Sequence, residues 1–432
     1  SVVAAPAGED RGWPRYRGPD QPMSFPSILF ADPLDAPPAD TAAPDCFHDL
    51  GLDQIADRLT EGERSHLEPL LHAPLGDAAS VRYRHEAVRD LADPQIRAAV
   101  EAFRRMMETA RTYLDAAGRR PTDPYRERLF LDGASAYCAA VTGLHQALSD
   151  LPIASRALRD VRDHLRACAA GASFSTLAAE TATQSAAMAA VRYTVHIDRN
   201  RVRVRRYRAE PEYGDEVQQA FASGPAAVEP AGPSPEQVWA GPNQIEGRIL
   251  ETVARLYPDA FDGLSAFCRR HLDPVAVGIE RFDREVQFYL AYLDLMRPLE
   301  AAGLSFCFPD LGEGEVAAAG TYDLALACAS LPDGPAVVVN DFHLEPSERV
   351  MVVTGPNQGG KTTFARMVGQ LHYLAALGLP VPARRANLRL PDRVFTHFEQ
   401  RERWADGRGK LEDELVRARR ILDEATGSSL II

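Results

Sequence analysis

The chain has 432 residues, of which 45% are hydrophobic and 25% are charged, and its net charge is −13. This length allows two or three domains, and the acidic balance argues against a surface covered in nucleic-acid-binding side chains. No apolar run of about 18 residues could span a bilayer, and no secretory signal pattern is present. We therefore expect a cytoplasmic protein whose six scattered cysteines are free thiols.

The first part of the chain predicts an irregular lead-in followed by helices. Residues 1–45 are rich in Pro, Ala and Asp and show no sustained period. A helical pattern runs from Cys46 to about Ala172, and a second runs from about Ile245 to Ala302. The last helix of this second block is expected to start with Asp273 as N-cap and Pro274 at the first helical position. Together these blocks predict an extended helical domain over residues 46–303.

Between the two blocks lies a segment of different character, at about residues 190–242. Tyr193–Tyr207 alternates apolar and polar residues around Asp198-Arg199-Asn200, as a β-hairpin does. One face of its second strand is basic, and the residues on that face are Arg201, Arg203 and Arg205. This face is either a contact for nucleic-acid phosphates or a solvated strand face, with or without pairing to Asp and Glu on neighbouring helices. The Pro/Gly/Ala-rich stretch Ser223–Pro242 is expected to be a linker.

From about Leu304 the pattern becomes α/β, which defines a further domain at residues 304–432. Short β-rich runs at Ser305–Phe308, Ala336–Asn340 and Arg349–Thr354 predict strands. A helix is expected from Lys361 to about Leu377.

A glycine-rich loop joins the last of these strands to the helix and matches the phosphate-binding pattern G-x-x-x-x-G-K-[ST]. The candidate nucleotide-binding residues in it are Gly355, Pro356, Asn357, Gln358, Gly359, Gly360, Lys361, Thr362 and Thr363. Glycines let backbone N–H groups point at phosphate oxygens, and the helix N-terminus adds its positive dipole end. We expect the Lys361 amine to reach the β- and γ-phosphates and the Thr362 hydroxyl to ligate Mg²⁺. Every basic residue except Lys361 and Lys410 is arginine, so a lysine at this position is a specific signal.

The segment Thr354–Thr363 resembles the P-loop of the MutS family, in which a Gly-Pro-Asn start and a double glycine before the lysine are typical. Asn340, upstream of the loop, matches the asparagine that the family places beside the adenine. Val337 stands where the family usually has phenylalanine. Leu50–Ile55 and Pro74–Asp90 are similar to the start of the family's core and lever domain.

Two segments downstream of the loop extend this resemblance. Val394–Phe398 is similar to the family's Phe-Thr strand, and Gly407–Glu414 with Ile421–Leu430 resembles its signature helix and the lead-in to its Walker B strand. The family generally has Ser or Thr where Gly409 and Lys410 stand. Lys410 is expected to be a solvated residue at a helix start, or else to supply positive charge to the γ-phosphate of a partner subunit's ATP.

The resemblance implies a helical lever and core bundle followed by an α/β P-loop ATPase domain of ABC-like type. It implies ATP and Mg²⁺ as cofactors, with Asn340 beside the base. It further implies DNA as partner (duplex, mismatched or branched), a homodimer formed through the ATPase heads, and no membrane. In the family, ATP-driven head dimerisation moves the levers on DNA in mismatch repair or recombination control. The near-absence of lysine and the abundant Ala, Pro and Gly indicate a GC-rich, bacterial genome, so we expect a nucleoid-associated bacterial protein. The basic hairpin lies where the family inserts a DNA-contacting clamp.

The two ends of the chain carry further expectations. Only about 45 residues precede the helices, so we expect a short form without the mismatch-recognition domain. The chain stops at Leu430–Ile432, before the acidic Walker B pair, so the ATPase domain is expected to be C-terminally incomplete and its catalytic residues are unknown. ATP hydrolysis is expected only if that pair follows. Two alternatives stay open: an ABC/SMC-type ATPase head of other function, and a nucleotide-binding scaffold without turnover.

Overall fold

The computed structural model describes residues 27–32, 36–38, 41–61, 65–198, 201–208, 244–330, 337–398 and 410–432. The predicted linker Ser223–Pro242 and the hairpin tip Arg199-Asn200 lie outside these residues, as does the Lys410 side chain. Among the described residues, helix predominates and the sheets are small, which confirms the mixed, mostly helical class.

Helices account for most of both helical blocks and recur in the C-terminal part. In chain order they are α1 Cys46–Asp49, α2 Leu52–Leu59, α3 Glu68–Leu71, α4 Ala78–Ala92, α5 Pro94–Gly118, α6 Pro124–Ser149, α7 Arg156–Ala170, α8 Ala172–Ala189, α9 Gln244–Leu256, α10 Pro258–Arg270, α11 Val277–Ala301, α12 Leu324–Ser330, α13 Lys361–Ala376 and α14 Lys410–Glu424, with a 3₁₀ turn at Ser65–Leu67. No helix of the described residues is long and apolar enough to cross a membrane.

Local signals explain some helix boundaries and miss others. Asp77 caps α4, because its carboxylate accepts from the backbone N–H of Ala79 at 2.8 Å and of Ser80 at 2.9 Å. The predicted start of α11 at Asp273 and Pro274 is wrong, since the helix begins at Val277. Its first turn instead grows from Ala276, whose carbonyl accepts from the N–H of Glu280.

Helix α8 was not predicted. Its residues Ala172–Ala189 are mostly Ala, Ser and Thr, and only a few of them are buried. The segment therefore lacks the regular spacing of large apolar residues from which an amphipathic helix is predicted. It nevertheless packs into the helical part, where Gln184 donates to the Ala260 carbonyl at 2.7 Å.

The described strands form three small sheets. The strands are β1 Tyr193–Asp198, β2 Arg201–Arg206, β3 Asp310–Leu311, β4 Val316–Thr321, β5 Asn340–Leu344, β6 Arg385–Leu388, β7 Val394–Phe395 and β8 Leu430–Ile431. The sheets are the antiparallel pair β1–β2, a four-stranded sheet in the order β3-β6-β4-β5, and the parallel pair β7–β8.

The strand predictions of the α/β part succeed only partly. The run Ser305–Phe308 makes a single bridge, between Cys307 and Val381, rather than a strand. In the run Ala336–Asn340 the strand begins at its last residue, and Ala336 itself lies outside the described residues.

The chain folds as two compact units, each assembled from separated segments. The first includes Glu101–His145 and Leu165–Glu280, and the second includes Pro26–Val100, Gln146–His164 and Arg281–Ile432. Aromatic pairs mark the core of the first unit, where Phe130 and Phe267 lie edge to face with ring centroids 6.1 Å apart.

The second unit contains α1–α4, parts of α5, α6, α7 and α11, and the whole α/β part. Its lead-in residues Ser27–Phe30 are irregular, as predicted, but they are buried rather than exposed. Glu285 fixes them by accepting from the Ser27 hydroxyl at 2.9 Å and the Ile28 N–H at 2.8 Å. The helix α13 runs through this core, with most residues from Gly369 to Ala376 buried.

Candidate functional site

The segment Val350–Thr354, predicted as the strand that enters the glycine-rich loop, is not a strand in the structure. Its valines are open to solvent: Val350 is 77% exposed, Val352 79% and Val353 42%. A strand needs a hydrogen-bonded neighbour, and within the described part of the chain this segment pairs with none. The strand prediction is therefore wrong, although the loop and its helix are both present.

The loop itself bends at two positive-φ residues. Gly360 has φ 84° immediately before α13, and Gln358 has φ 65°, a conformation that side-chain-bearing residues seldom adopt. The Gly359 N–H donates to the Pro356 carbonyl at 3.1 Å, which closes a tight turn. A Cβ on Gly359 would lie 3.0 Å from that carbonyl oxygen, so the turn requires glycine there. These residues and the rest of the loop from Gly355 are exposed to solvent.

Lys361, the first residue of α13, folds back over the loop. Its Nζ donates to the carbonyl oxygens of Gly355 and Pro356, each at 2.7 Å. An ammonium has three donors and is drawn more strongly to phosphate than to neutral carbonyls. The amine is therefore held against the loop backbone and can exchange its carbonyl partners for the oxygens of an anion that binds there.

The start of α13 offers further groups to an anion and a cation. The first-turn N–H groups of a helix have no intrahelical partner, and the dipole favours negative charge at this end. Thr362 is exposed, and its hydroxyl makes no hydrogen bond to any described residue. These free donors, the side-chain-free glycines and the Lys361 amine fit a triphosphate. The free hydroxyl fits Mg²⁺, a cation that prefers oxygen ligands.

A cavity of about 560 Å³ opens beside the loop. Lys361 and Thr362 are among its lining residues, and aromatic and aliphatic side chains form much of its wall. Phe342 of β5 and Phe364 of α13 lie edge to face in this wall, with ring centroids 6.3 Å apart. A cavity with a largely apolar wall and a few charged and polar groups has the character of a small-molecule site.

Asn340 is placed at the first position of β5, whose later residues Phe342 and Leu344 line the cavity. Its side-chain amide donates to the Val338 carbonyl at 3.4 Å, and Asn340 itself is not part of the cavity wall. Val337, which stands where the MutS family usually has phenylalanine, lies three residues before Asn340 and is half-buried. The structure thus brings Lys361 and Thr362 together but leaves Asn340 outside the wall.

The three arginines of the hairpin lie in the first compact unit. Strands β1 and β2 pair antiparallel as predicted, with Arg203 opposite His196 and Arg205 opposite Thr194. The side chains of Arg201, Arg203 and Arg205 are all exposed, and none of these side chains makes an ion pair or hydrogen bond within the described part of the structure. The register places Arg201 opposite Asp198. The exposure of the three side chains fits a solvated strand face as well as a contact for phosphates.

The opposite face of β2 anchors the hairpin. The Arg206 guanidinium lies 4.8 Å from the centre of the Tyr257 ring and donates through Nε to the Leu256 carbonyl at 2.8 Å. Arg206 therefore belongs to the packing, whereas the three alternating arginines face solvent.

Sequence reasoning missed a second set of polar residues in the same unit as the loop. Asp49 accepts hydrogen bonds from the Thr396 hydroxyl and from Arg417 of α14. Asp49 lies more than 340 positions from both partners, so no local pattern could have identified this cluster. No group of three or more His, Cys, Asp or Glu among the described residues is arranged to hold a metal ion.

Comparison with known proteins gives one family match and several relatives. Residues 351–432 match the family model described as MutS domain V. A protein of Parasynechococcus marenigrum described as DNA mismatch repair protein MutS is 32% identical over 197 residues, which is 43% of this chain and 20% of that protein.

Two further relatives carry the same description. The one from Chlorobium phaeovibrioides is 35% identical over 136 residues, covering 31% of this chain and 15% of the relative. The one from Zymomonas mobilis subsp. mobilis is 39% identical over 104 residues, covering 24% of this chain and 12% of the relative. The chain spans a fifth or less of the length of these relatives.

Proposed function

We propose that this chain, which belongs to the MutS family, is an ATP-binding protein that acts on DNA in mismatch repair or recombination control. The observation that carries the proposal is the glycine-rich loop at the head of α13, where the Lys361 amine rests on two loop carbonyls. We further propose that residues 304–432 are a P-loop ATPase domain of ABC-like type and residues 46–303 a lever and core domain. Such a protein is expected at the bacterial nucleoid.

In this proposal the loop Gly355–Thr363 surrounds the phosphates of ATP. Lys361 exchanges its two carbonyl partners for phosphate oxygens, and the loop N–H groups bind the remaining charge. Thr362 offers its hydroxyl to Mg²⁺, which when bound neutralises charge on the phosphate oxygens. Asn340 is the proposed neighbour of the base.

Nucleotide binding is tested directly with a fluorescent ATP analogue and Mg²⁺. Charge-assisted hydrogen bonds are worth about 1.5–3 kcal/mol each, so Lys361→Ala should weaken binding by roughly ten- to a hundredfold. Arg385→Ala removes an exposed positive charge from β6 in the same compact unit and serves as the control. Equal affinity of the wild type and Lys361→Ala would remove the loop from the proposal.

For DNA, we propose that Arg201, Arg203 and Arg205 contact the phosphate backbone. Alternate residues on a strand are about 6.7 Å apart, so three such arginines present a row of charges about 13 Å long. All three are exposed. The side chains of Arg203 and Arg205 make no ion pair with a described residue, so binding a phosphate there would break no described ion pair. The net charge of −13 makes a local patch of this kind necessary for any contact with DNA.

Salt dependence measures this contact. The logarithm of the duplex-binding constant falls linearly with the logarithm of the salt concentration, and each phosphate contact adds about 0.9 to the magnitude of that slope. Replacing all three arginines with alanine should therefore reduce the magnitude of the slope by about 3. The matched control replaces Arg105, Arg248 and Arg269, exposed arginines of the same unit, and removes the same charge. If both triple variants change the slope equally, the hairpin is not the contact. Comparing duplex, mismatched and branched DNA identifies the preferred structure.

We also propose that two copies associate through their ATPase heads when ATP is bound. Leu415 and Leu422 of α14 are seven residues apart, hence on one helix face, and are 62% and 77% exposed. Exposed apolar side chains on one face are typical of association surfaces. Sedimentation with and without ATP tests this: ATP should shift the wild type towards dimer, and Leu422→Glu should abolish the shift. A wild type that stays monomeric with saturating ATP would contradict it.

A further inference from the structure

The end of α1 and the turn that follows it place three consecutive residues, Asp49, Leu50 and Gly51, between two helices of the second unit: Leu50 and Gly51 contact the loop helix α13, and Asp49 contacts α14. Leu50 is fully buried, and its carbonyl accepts from Gln370 Nε2 of the loop helix α13 at 2.8 Å. The Gln370 amide is itself fixed, because it also donates to Asp323 at 2.9 Å and accepts from the Leu324 N–H at 2.7 Å. The turn is therefore joined to a side chain that has little freedom to move.

Side-chain packing reinforces this joint. A Cβ on Gly369 would lie 2.4 Å from Leu50 Cδ2, so the absence of a side chain there lets Leu50 rest on the helix. Gly51 has φ 67°, and a Cβ on it would lie 3.7 Å from Arg366 Cδ. Arg366, Gly369 and Gln370 are spaced i, i+3 and i+4, so they form one face of α13. That face begins five residues after Lys361, about 7.5 Å along the helix.

Asp49 extends the turn to a second element, α14. Its Oδ2 accepts from the Thr396 hydroxyl at 2.6 Å and from Arg417 Nη2 at 2.9 Å. The same Arg417 Nη2 donates to the Thr396 carbonyl at 3.2 Å. One carboxylate oxygen thus joins α14 to the segment that follows β7.

Burial separates this contact from its neighbours on the surface. The Asp49 side chain is 8% exposed and the Arg417 side chain 28%. A neighbouring pair joins Asp45, just before α1, to Arg420 of α14; these side chains are 76% and 59% exposed, and pairs that exposed contribute little. Removing one partner of a buried pair leaves a charge without compensation. The attachment of α14 to the turn therefore depends mainly on Asp49.

We propose that Asp49 is a positioning residue that ties α14 to the loop helix α13, so that occupation of the loop by nucleotide changes the order of α14. The connection runs from Lys361 along α13 to Gly369 and Gln370, through Leu50 to Asp49, and from Asp49 to Arg417. The inference rests on the proposed nucleotide binding and adds to it a defined connection between the two helices. Because residues 49–51 are consecutive, a shift of α13 moves Asp49 with it.

The test measures hydrogen–deuterium exchange of the peptide 414–424, with and without the ATP analogue and Mg²⁺, together with the affinity for that analogue. Asp49→Asn removes the charge without changing the shape, and Asp45→Asn makes the same change in the exposed pair that Asp45, just before α1, forms with Arg420. Arg417→Met breaks the contact from the α14 side, which provides a second variant if Asp49→Asn folds poorly. Circular dichroism confirms folding in each case.

In the wild type we expect nucleotide to slow exchange in α14 by at least about fivefold. In Asp49→Asn and Arg417→Met that slowing should fall below about twofold, while nucleotide affinity stays within about threefold of the wild type. Asp45→Asn should behave as the wild type does. The double variant Asp49→Asn with Arg417→Met should lose no more of the nucleotide-dependent slowing than either single variant does, because both substitutions remove the same contact.

Failures of the two proposals are distinguishable. A wild type that does not bind the analogue overturns the proposed function and, with it, the coupling. A wild type that binds the analogue without any change in α14 exchange overturns the coupling alone. Full nucleotide-dependent slowing in folded Asp49→Asn likewise shows that Asp49 does not carry the connection.

Discussion

Arg84 of α4 is fully buried, and its guanidinium is held by carbonyls and aromatic rings. Its Nε donates to the Leu29 carbonyl at 3.0 Å, and its Nη1 donates to the Leu377 carbonyl, at the C-terminal end of the loop helix, at 2.8 Å. The guanidinium carbon lies 4.8 Å from the centre of the Phe30 ring and 5.4 Å from that of Phe288. Burial lowers the pKa of Arg84 because it disfavours the charged form.

Replacing Arg84 with methionine sets two effects against each other. Two buried carbonyls lose their donor, at about 1–3 kcal/mol each, and the ring contacts lose about 2 kcal/mol. The variant also no longer pays the desolvation cost of a buried charge, and replacing buried ions with apolar groups of similar size stabilises by about 1–4 kcal/mol. The losses are larger, so we expect Arg84→Met to lower the free energy of unfolding by about 3 kcal/mol.

Urea unfolding followed by far-UV circular dichroism measures the difference. Arg89→Met is the matched control, because Arg89 lies on the same helix and its guanidinium carbon is 4.1 Å from the centre of the Phe308 ring, but the residue is exposed. Its replacement should cost no more than about 1 kcal/mol. If Arg84→Met is as stable as the wild type, or more stable, the unpaired carbonyls are not the dominant cost and the reasoning is refuted.

Three further predictions concern stability. Gly378→Ala should destabilise by about 2–4 kcal/mol in the same urea assay, because Gly378 has φ 71° and a new Cβ would lie 2.7 Å from Arg84 Cβ. Asp77→Ala should cost about 1 kcal/mol at pH 7. Hydrogen bonds from α4 lower the Asp77 pKa, so this difference should shrink as pH falls through that pKa. Burial, followed by the Arg89 and Arg82 charges, lowers the pKa of His85 from 6.5 to about 4, so the unfolded chain binds the proton first. Stability should therefore fall by about 3 kcal/mol between pH 6.5 and 4, and His85→Leu should flatten that fall in melts across this range.

Features carried by local patterns were predictable from the sequence. The alternation in Tyr193–Tyr207 predicted the hairpin, and the pattern around Lys361 predicted the start of α13 at the correct residue. In both cases neighbours along the chain determine the geometry: strand alternation fixes a face, and the glycine-lysine-threonine order fixes a helix N-terminus. The predicted domain boundaries and the phosphate role of the loop stay predictions.

Features that depend on distant partners were not predictable. Val350–Thr354 has the β-branched composition of a strand, but composition does not supply the neighbouring strand that pairing requires. Asp273 has the chemistry of an N-cap, yet α11 begins at Val277. The contact of Asp49 with Arg417 spans most of the chain, and a lone aspartate in a short helix carries no signal of such a partner.

The exposed run Val350–Val353 has a consequence for handling the protein. Short β-branched segments with little charge and free backbone groups can pair between molecules, which makes them starting points for aggregation. The sequence flanks this run with Glu348 and Arg349 on one side and with Pro356 on the other. Charges and proline at the ends of such a segment act as gatekeepers, since they disfavour stacking of strands from different chains. We therefore expect the charges and the proline beside the glycine-rich loop to limit aggregation of the protein.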